Sequence, residues 1–104
     1  MEHLSQDEWA AQLAADNNAI VLDVRTDAEV AEGVIPNAIH IDFFKGQEFI
    51  DEVDTLDKNK NYYVYCRSGN RSGQACAIME ELGFDNTFNL EGGTLEWEGN
   101  LVDL

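Results

Sequence analysis

Basic residues are scarce in this sequence of 104 residues. Lysine and arginine together number 6, against 21 aspartates and glutamates, so the formal net charge at pH 7 is −15. A surface of that sign repels nucleic-acid phosphates and anionic lipids, which argues against nucleic-acid and membrane partners. The acidity itself indicates solubility, and attraction to a basic protein partner is the alternative interpretation.

Cysteine and long apolar runs are also scarce. The two cysteines, Cys66 and Cys76, are too few for a disulfide scaffold, and no Cys/His cluster has the spacing of metal ligands. No stretch approaches the roughly 18 apolar residues that span a membrane. The first residues lack the basic and apolar regions of a secretion signal. We therefore expect no metal, no cofactor and a reducing, cytoplasmic location.

Strands and helices alternate along what reads as one domain, residues 1–104. Apolar runs predict strands at 19–24, 38–41, 62–65 and 85–90. Capping boxes at Ser5–Glu8 and Thr26–Glu29 predict two helix starts, the first helix running over 6–15. Apolar spacing predicts further helices at 47–53 and 72–82. This order predicts an α/β fold with a mostly parallel central sheet of about five strands, flanked by helices on both faces.

The stretch Tyr62–Gly73 is the most informative part of the chain. An aromatic and β-branched run ends at Cys66, and a short loop follows before the next predicted helix. Parallel sheets collect ligands at the carboxyl ends of their strands, which is where Cys66 falls. Two of the six cations, Arg67 and Arg71, lie within five positions of it. Because cations and a helix N-terminus favour a thiolate, we predict that Cys66 is a catalytic nucleophile.

Five motifs, in this order, resemble the rhodanese-like domain, a sulfurtransferase module, over nearly the whole chain. The motifs are Leu22-Asp23-Val24-Arg25 with Glu29, Gly33-Val34-Ile35-Pro36-Asn37-Ala38, Cys66-Arg67-Ser68-Gly69-Asn70-Arg71-Ser72, Leu82-Gly83-Phe84, and Leu90-Glu91-Gly92-Gly93 with Trp97. Val34 stands where a histidine is common and Asn37 where a glycine is common. Both departures lie in a turn well before the cysteine.

The resemblance implies a two-step covalent mechanism. The Cys66 thiolate attacks the outer sulfur of thiosulfate or a persulfide donor, keeps that sulfur as a persulfide, and passes it to a thiophilic acceptor. The implied partners are a small anionic sulfur donor and a thiol or protein sulfur acceptor, with no cofactor. We expect the sulfur of Cys66 to be reachable from solvent.

The loop after Cys66 can stabilise negative charge on a sulfur atom. Its successive N–H groups form an anion nest at a helix start, and Gly69 and Gly73 permit conformations that a β-carbon forbids. The residues predicted to bind the anion are Arg67, Ser68, Gly69, Asn70, Arg71 and Ser72. For two of these residues the sequence leaves two roles equally open. Ser72 either donates to sulfur or caps the helix, and Arg71 either holds the donor or pairs with a carboxylate.

The length of the loop separates two classes of enzyme. Cysteine-dependent phosphatases use Cys-x5-Arg, whereas Cys66-x4-Arg71 is one residue shorter and suits a single sulfur better than a phosphate. A sulfurtransferase is therefore the leading hypothesis. The alternatives are a persulfide carrier, a non-catalytic binding module, and a phosphatase or arsenate reductase.

Structural roles are the favoured interpretation of the remaining reactive residues. Cys76 lies in a predicted helix and reads as a packing residue. Arg25 is expected to pair with Glu29 or another carboxylate. His40 is expected to be a satisfied structural histidine, and His3 to lie in the N-terminal tail.

Overall fold

A five-stranded, all-parallel sheet forms the centre of the computed structural model, which describes residues 1–104. The strands are β1 Glu2–Leu4, β2 Ala19–Asp23, β3 Ile39–His40, β4 Asn61–Tyr65 and β5 Asn86–Leu90. Their order across the sheet is β1-β5-β4-β2-β3, so β4 is the central strand. The predicted fold class is confirmed. The assignment of His3 to a tail is wrong, because β1 pairs with β5 and places His3 opposite Asn89.

Five α-helices and one short 3-10 helix connect the strands. The helices are α1 Gln6–Ala14, α2 Asp27–Val30, α3 Gln47–Asp54, α4 Asn70–Glu81 and α5 Gly93–Glu96, with the 3-10 turn at Phe43–Lys45. Both predicted capping boxes form, at Ser5 with Glu8 and at Thr26 with Glu29. No helix combines the length and the apolar character that crossing a bilayer requires.

The central strand is buried on both faces, and its side chains divide between two cores. Tyr62 and Val64 belong to one core, which includes residues of α3 and α4 such as Phe49 and Met79. Tyr63 and Tyr65 belong to the other, around Trp9 of α1. Helices therefore cover both faces of the sheet, which explains why β4 reads as a continuous apolar run rather than an alternating one.

Candidate active site

Cys66 directly follows the last residue of β4, and α4 begins four residues later at Asn70. Gly69 is the N-cap of α4 and has a φ of +96°. A β-carbon there would lie 3.1 Å from the carbonyl oxygen of Leu90. A glycine is therefore required both by the left-handed backbone and by the close approach of the neighbouring loop.

Gly73 has a different role from the one expected. It lies inside α4 and is not among the residues with positive φ, so no special backbone conformation requires it. A β-carbon there would lie 3.4 Å from Asn89 Nδ2 and from His3 Cε1. Its small size leaves room for these two side chains beside the cysteine loop.

The loop surrounds the sulfur of Cys66 with hydrogen-bond donors. Gly69 N lies 3.1 Å from Sγ, Ser72 N lies 3.4 Å from it, and Ser72 Oγ lies 3.3 Å from it. Burial opposes ionisation of this thiol. Hydrogen bonds from the Ser72 hydroxyl and amide and from the Gly69 and Ser68 amides outweigh burial, so the pKa of Cys66 lies below its ordinary value. These donors converge on the sulfur.

Ser72 is not the helix cap, because α4 begins two residues before it and Gly69 holds the N-cap position. Of its two predicted alternatives, the structure therefore shows the contact with sulfur. The side chains of Ser68 and Asn70 form no hydrogen bond to the sulfur. Both residues are exposed, and Asn70 Oδ1 accepts from Gln74 Nε2 at 3.3 Å.

The sulfur itself is covered. Cys66 exposes 0% of its surface, so the expectation that it is reachable from solvent is wrong for this conformation. An open cavity of about 300 Å³ lies beside the loop and does not include Cys66. It is lined by Arg25, Glu29, Glu32, Arg67, Thr94, Leu95 and Leu101.

The two arginines of the loop have different environments. Arg71 donates to both carboxylate oxygens of Glu29, at 2.7 and 2.8 Å, and its guanidinium lies 5.1 Å from the centre of the Phe44 ring. The hydrogen bond with Arg71 lowers the pKa of Glu29 to about 2, and the same bond raises the pKa of Arg71. Arg67 is exposed, forms no ion pair, and lines the cavity.

The ion-pair alternative for Arg71 is therefore what the structure shows, and Arg67 is the arginine whose charge is free near the loop. A bidentate pair between partly buried groups holds Arg71 in a fixed orientation. Its charge is balanced by Glu29 at close range. No carboxylate forms an ion pair with Arg67.

A second loop, Gly92–Gly93, supports the cysteine loop from behind. The amides of Thr94 and Leu95 donate to the carbonyl oxygens of Cys66 and Arg67, both at 3.0 Å. Gly93 has a φ of +56°, and a β-carbon there would lie 2.4 Å from the carbonyl carbon and oxygen of Arg67. The Gly-Gly pair was visible in the sequence as a motif, but its contact with the cysteine loop was not.

Sequence reasoning also missed a polar side chain next to the sulfur, that of Asn89 on β5. Its Oδ1 lies 2.5 Å from Ser72 Oγ, and its Nδ2 lies 3.1 Å from the carbonyl oxygen of Gly69 and 2.9 Å from His3 Nδ1. Asn89 is 2% exposed. A polar residue within a strand that is otherwise covered was the signal that could have identified it.

The other reactive residues have structural partners. Arg25 pairs with Asp23 rather than Glu29, with Nη2 2.7 Å from Asp23 Oδ2, and also donates to the carbonyl of Gly33. His40 Nε2 lies 2.6 Å from the Arg25 carbonyl oxygen, so His40 is a structural histidine as expected. Cys76 is fully buried, and burial raises the pKa of its thiol to about 12.

Comparisons with known proteins agree with this geometry. The family model for the rhodanese-like domain matches residues 6–100. The chain is 46% identical over 88 residues to YtwF of Bacillus subtilis, named as a candidate sulfurtransferase, covering 85% of this chain and 82% of that protein. It is 32% identical over 97 residues to a protein of Allochromatium vinosum named sulfurtransferase, covering 93% and 88%.

A solved structure supports the same assignment. A rhodanese-like domain protein from Staphylococcus aureus superimposes with a TM-score of 0.85 at 32% identity, covering 100% of this chain and 99% of that one. Other relatives have different names. One from Legionella pneumophila, 38% identical, is a tRNA uridine(34) hydroxylase, of which the match covers 38%.

A parallel sheet flanked by helices is thus the architecture that this chain shares with its structural neighbours. The chain belongs to the rhodanese-like domain family. Two relatives of similar length are named as sulfurtransferases, one of them as a candidate.

Proposed function

We propose that this protein transfers sulfane sulfur from thiosulfate or a persulfide donor to a thiophilic acceptor through a persulfide on Cys66. The observation that carries the proposal is the convergence of the Gly69 and Ser72 amides and the Ser72 hydroxyl on Sγ, at 3.1 to 3.4 Å. These groups stabilise negative charge on sulfur without a metal or cofactor. We also propose a cytoplasmic location, where free thiols such as Cys66 and Cys76 persist.

The proposed reaction consists of two displacements at sulfur. The Cys66 thiolate attacks the outer sulfur of the donor, the donor's S–S bond breaks, and sulfite or a thiolate leaves with the electron pair. A nucleophilic acceptor then attacks the outer sulfur of the persulfide, and the Cys66 thiolate leaves. No proton has to move in either displacement, which fits a site without a histidine base at the sulfur.

Arg67 is the proposed contact for the donor's oxygens. It is exposed, lies at the cavity and has no carboxylate partner, whereas Arg71 is held by Glu29. A charge-assisted hydrogen bond to an anion contributes about 1.5–3 kcal/mol. Arg67→Gln is therefore expected to lower kcat/KM for thiosulfate by about tenfold or more, since 1.4 kcal/mol corresponds to tenfold.

Mass spectrometry of the intact protein tests the proposal. After incubation with thiosulfate and removal of the excess, the wild type should gain about 32 Da, the mass of one sulfur atom held as a persulfide. The gain should map to Cys66 and disappear in Cys66→Ala. Cys76→Ala is the matched control and should gain the same mass, because the pKa of Cys76 is raised to about 12 whereas that of Cys66 is lowered. An unchanged wild-type mass with both thiosulfate and a persulfide donor contradicts the proposal.

One observation favours a persulfide carrier as a second candidate. Because Glu29 occupies Arg71, only one free arginine remains for the sulfonate of thiosulfate. A carrier that takes sulfur from a protein persulfide needs no sulfonate site. It would show slow thiosulfate turnover but fast exchange with a protein persulfide, and comparable rates would remove the reason for this candidate.

A para-nitrophenyl phosphate assay tests the phosphatase alternative. We expect no turnover in this assay, and clear turnover would favour a phosphatase.

A further inference from the structure

Asn89 contacts the hydroxyl group that touches the sulfur of Cys66. Its Oδ1 lies 2.5 Å from Ser72 Oγ, and both side chains are buried. The orientation of the amide follows from its other contact. The carbonyl oxygen of Gly69 can only accept, and it lies 3.1 Å from Asn89 Nδ2. The amide nitrogen therefore faces Gly69, and the amide oxygen faces Ser72.

Ser72 Oγ thus lies between two acceptors, and it has one proton to donate. Asn89 Oδ1 is 2.5 Å away and Cys66 Sγ is 3.3 Å away. When the proton points to Asn89, Ser72 presents lone pairs to the sulfur, which suits a neutral thiol donating its own proton. When Cys66 is a thiolate, the Ser72 hydroxyl has to turn its proton toward the sulfur. The lone pairs of Ser72 Oγ and Asn89 Oδ1 then face each other across the 2.5 Å contact.

We propose that Asn89 is a positioning residue for sulfur transfer, because its side-chain carbonyl competes with the Cys66 sulfur for the single hydroxyl proton of Ser72. The inference rests on the proposed role of Cys66 as the nucleophile. The backbone amides of the loop favour the thiolate in either case. Asn89 limits the additional stabilisation that the Ser72 hydroxyl supplies.

This limit has a chemical use. The nucleophilicity of a thiolate falls as the pKa of its thiol falls, with a Brønsted coefficient of about 0.4–0.5, so an attacking thiol works best with a pKa near the ambient pH. In a loop that already points several donors at the sulfur, a Ser72 hydroxyl that donated only to the sulfur would make the thiolate abundant but weakly nucleophilic. Asn89 keeps the sulfur reactive as well as ionised.

Other titratable groups surround this pair. On β1, His3 Nδ1 lies 2.9 Å from Asn89 Nδ2. On α4, Arg71 and Cys76 both interact electrostatically with Cys66. The amino group of Met1 acts on Cys76 and is paired with a glutamate, Glu80, at 3.2 Å. His3 is the one that touches Asn89, so the test includes a variant without it.

Two near-isosteric substitutions of Asn89 test the proposal by moving the acidity of Cys66 in opposite directions. Asn89→Leu removes the competing acceptor, so the Ser72 hydroxyl can donate to the sulfur alone. The pKa of Cys66 should then fall by about one unit, which is a tenfold increase in its ionisation constant. Asn89→Asp keeps an acceptor and adds negative charge, so the pKa should rise by about one unit. In Asn89→Leu, the carbonyl of Gly69 keeps its bond from the Gly73 amide at 3.1 Å.

The measurement is the rate of alkylation of Cys66 by iodoacetamide as a function of pH, followed by mass spectrometry. Asn89→Leu should also lower the limiting rate constant at high pH by about threefold for each unit lost, as the Brønsted coefficient requires. In a Ser72→Ala background, Asn89→Leu should leave the pKa unchanged. His3→Ala should leave the Asn89→Leu shift intact.

Loss of structure would move both variants in the same direction. Shifts of the same sign, or an Asn89→Leu shift that persists in Ser72→Ala, overturn the proposal. If Asn89→Leu does not melt cooperatively, Asn89→Val replaces it with the same expected direction. An ordinary pKa for wild-type Cys66 would remove the proposed function. Opposite shifts in the Asn89 variants would then establish only the competition for the Ser72 proton and would overturn a role of Asn89 in sulfur transfer.

Discussion

Glu29 connects the start of α2 to the cysteine loop. Its Oε1 accepts from the amide and hydroxyl of Thr26, each at 3.0 Å, and completes the capping box of α2. The same carboxylate accepts both guanidinium N–H groups from Arg71. One side chain therefore caps a helix and fixes the orientation of an arginine in the cysteine loop, so its ionisation bears on stability and on the site.

The depressed pKa of Glu29 predicts an acid-dependent loss of stability. The pKa falls from 4.5 to about 2 on folding, so the stabilisation is complete above about pH 4.5 and is lost as the pH falls toward 2. The shift corresponds to at most about 3 kcal/mol at 1.36 kcal/mol per unit, and partial exposure reduces it to roughly 2. Urea unfolding of wild type and Glu29→Gln should therefore differ most at pH 5–7 and converge toward pH 2.

Glu32→Gln is the matched control for this titration. Glu32 lies in the segment after α2, is exposed, and forms no hydrogen bond or ion pair through its side chain. Its substitution should leave the curve of unfolding free energy against pH nearly parallel to that of the wild type. A constant gap between wild type and Glu29→Gln from pH 7 to pH 2 would show that the ion pair with Arg71 is not the cause.

At the scale of elements, the end of β4 is held from two sides. Helix α4 begins at the end of the cysteine loop, and the turn between β5 and α5 contacts the backbone carbonyls of that loop. Thr94 N and Leu95 N bond to Cys66 O and Arg67 O, and Gly93 fits between them without room for a β-carbon. The position of the sulfur therefore depends on a turn that lies nearly thirty residues away in the sequence.

Gly93→Ala should be more destabilising than a positive φ alone explains. Gly46 has a φ of +60°, similar to the +56° of Gly93, but nothing lies within 4 Å of a β-carbon built on it. Gly46 has a ψ of −116°, outside the left-handed helical region, and Gly46→Ala should cost about 1–3 kcal/mol for this sparsely populated conformation. Gly93→Ala should cost about 1–3 kcal/mol more for overpacking. Urea denaturation of both variants measures the difference.

The same substitution should also change the site. When Gly93→Ala pushes the carbonyl of Arg67 away, the donors around the sulfur lose their alignment, and the pKa of Cys66 should rise toward its ordinary value. Gly46→Ala should leave that pKa where it is. Equal stability of the two variants would show that the turn relaxes around an added methyl group.

Local patterns predicted most of these elements because their signals are local. The capping boxes, the buried run of β4 and the position of Cys66 all follow from residues that are adjacent in the chain. Strand β1 was missed because three residues are too few to show a period. Helix α4 was placed two residues late because Ser72 resembles a cap, whereas the cap is a left-handed glycine.

The parts of the site that could not be predicted depend on contacts between distant segments. The choice of Glu29 as the partner of Arg71 and of Asn89 as the partner of Ser72 is made by the packing of the sheet. The departure at Asn37 has a local explanation. Its φ is +70°, a conformation that asparagine tolerates better than most residues, so it can replace the glycine common in the family.

At the scale of the whole molecule, the charge of −15 acts on every anionic donor that approaches. The molecule measures 31 × 30 × 20 Å, whereas the screening length is about 30 Å at 0.01 M salt and about 8 Å at 0.15 M. At low salt, the field of the entire acidic surface therefore reaches a donor at the cysteine loop. At physiological salt, Arg67 and its near neighbours dominate.

Added salt should therefore raise kcat/KM for thiosulfate. Between 0.01 and 0.15 M potassium chloride we expect an increase of at least about twofold, because screening removes long-range repulsion and leaves the short-range attraction of Arg67. Alkylation of Cys66 by the neutral reagent iodoacetamide is the control, and its second-order rate constant should be nearly independent of salt. Arg67→Gln should lower kcat/KM and steepen its rise with salt. A steep fall with salt in the wild type would show that the arginine, not the global charge, governs the approach, because attraction is then the interaction that screening weakens.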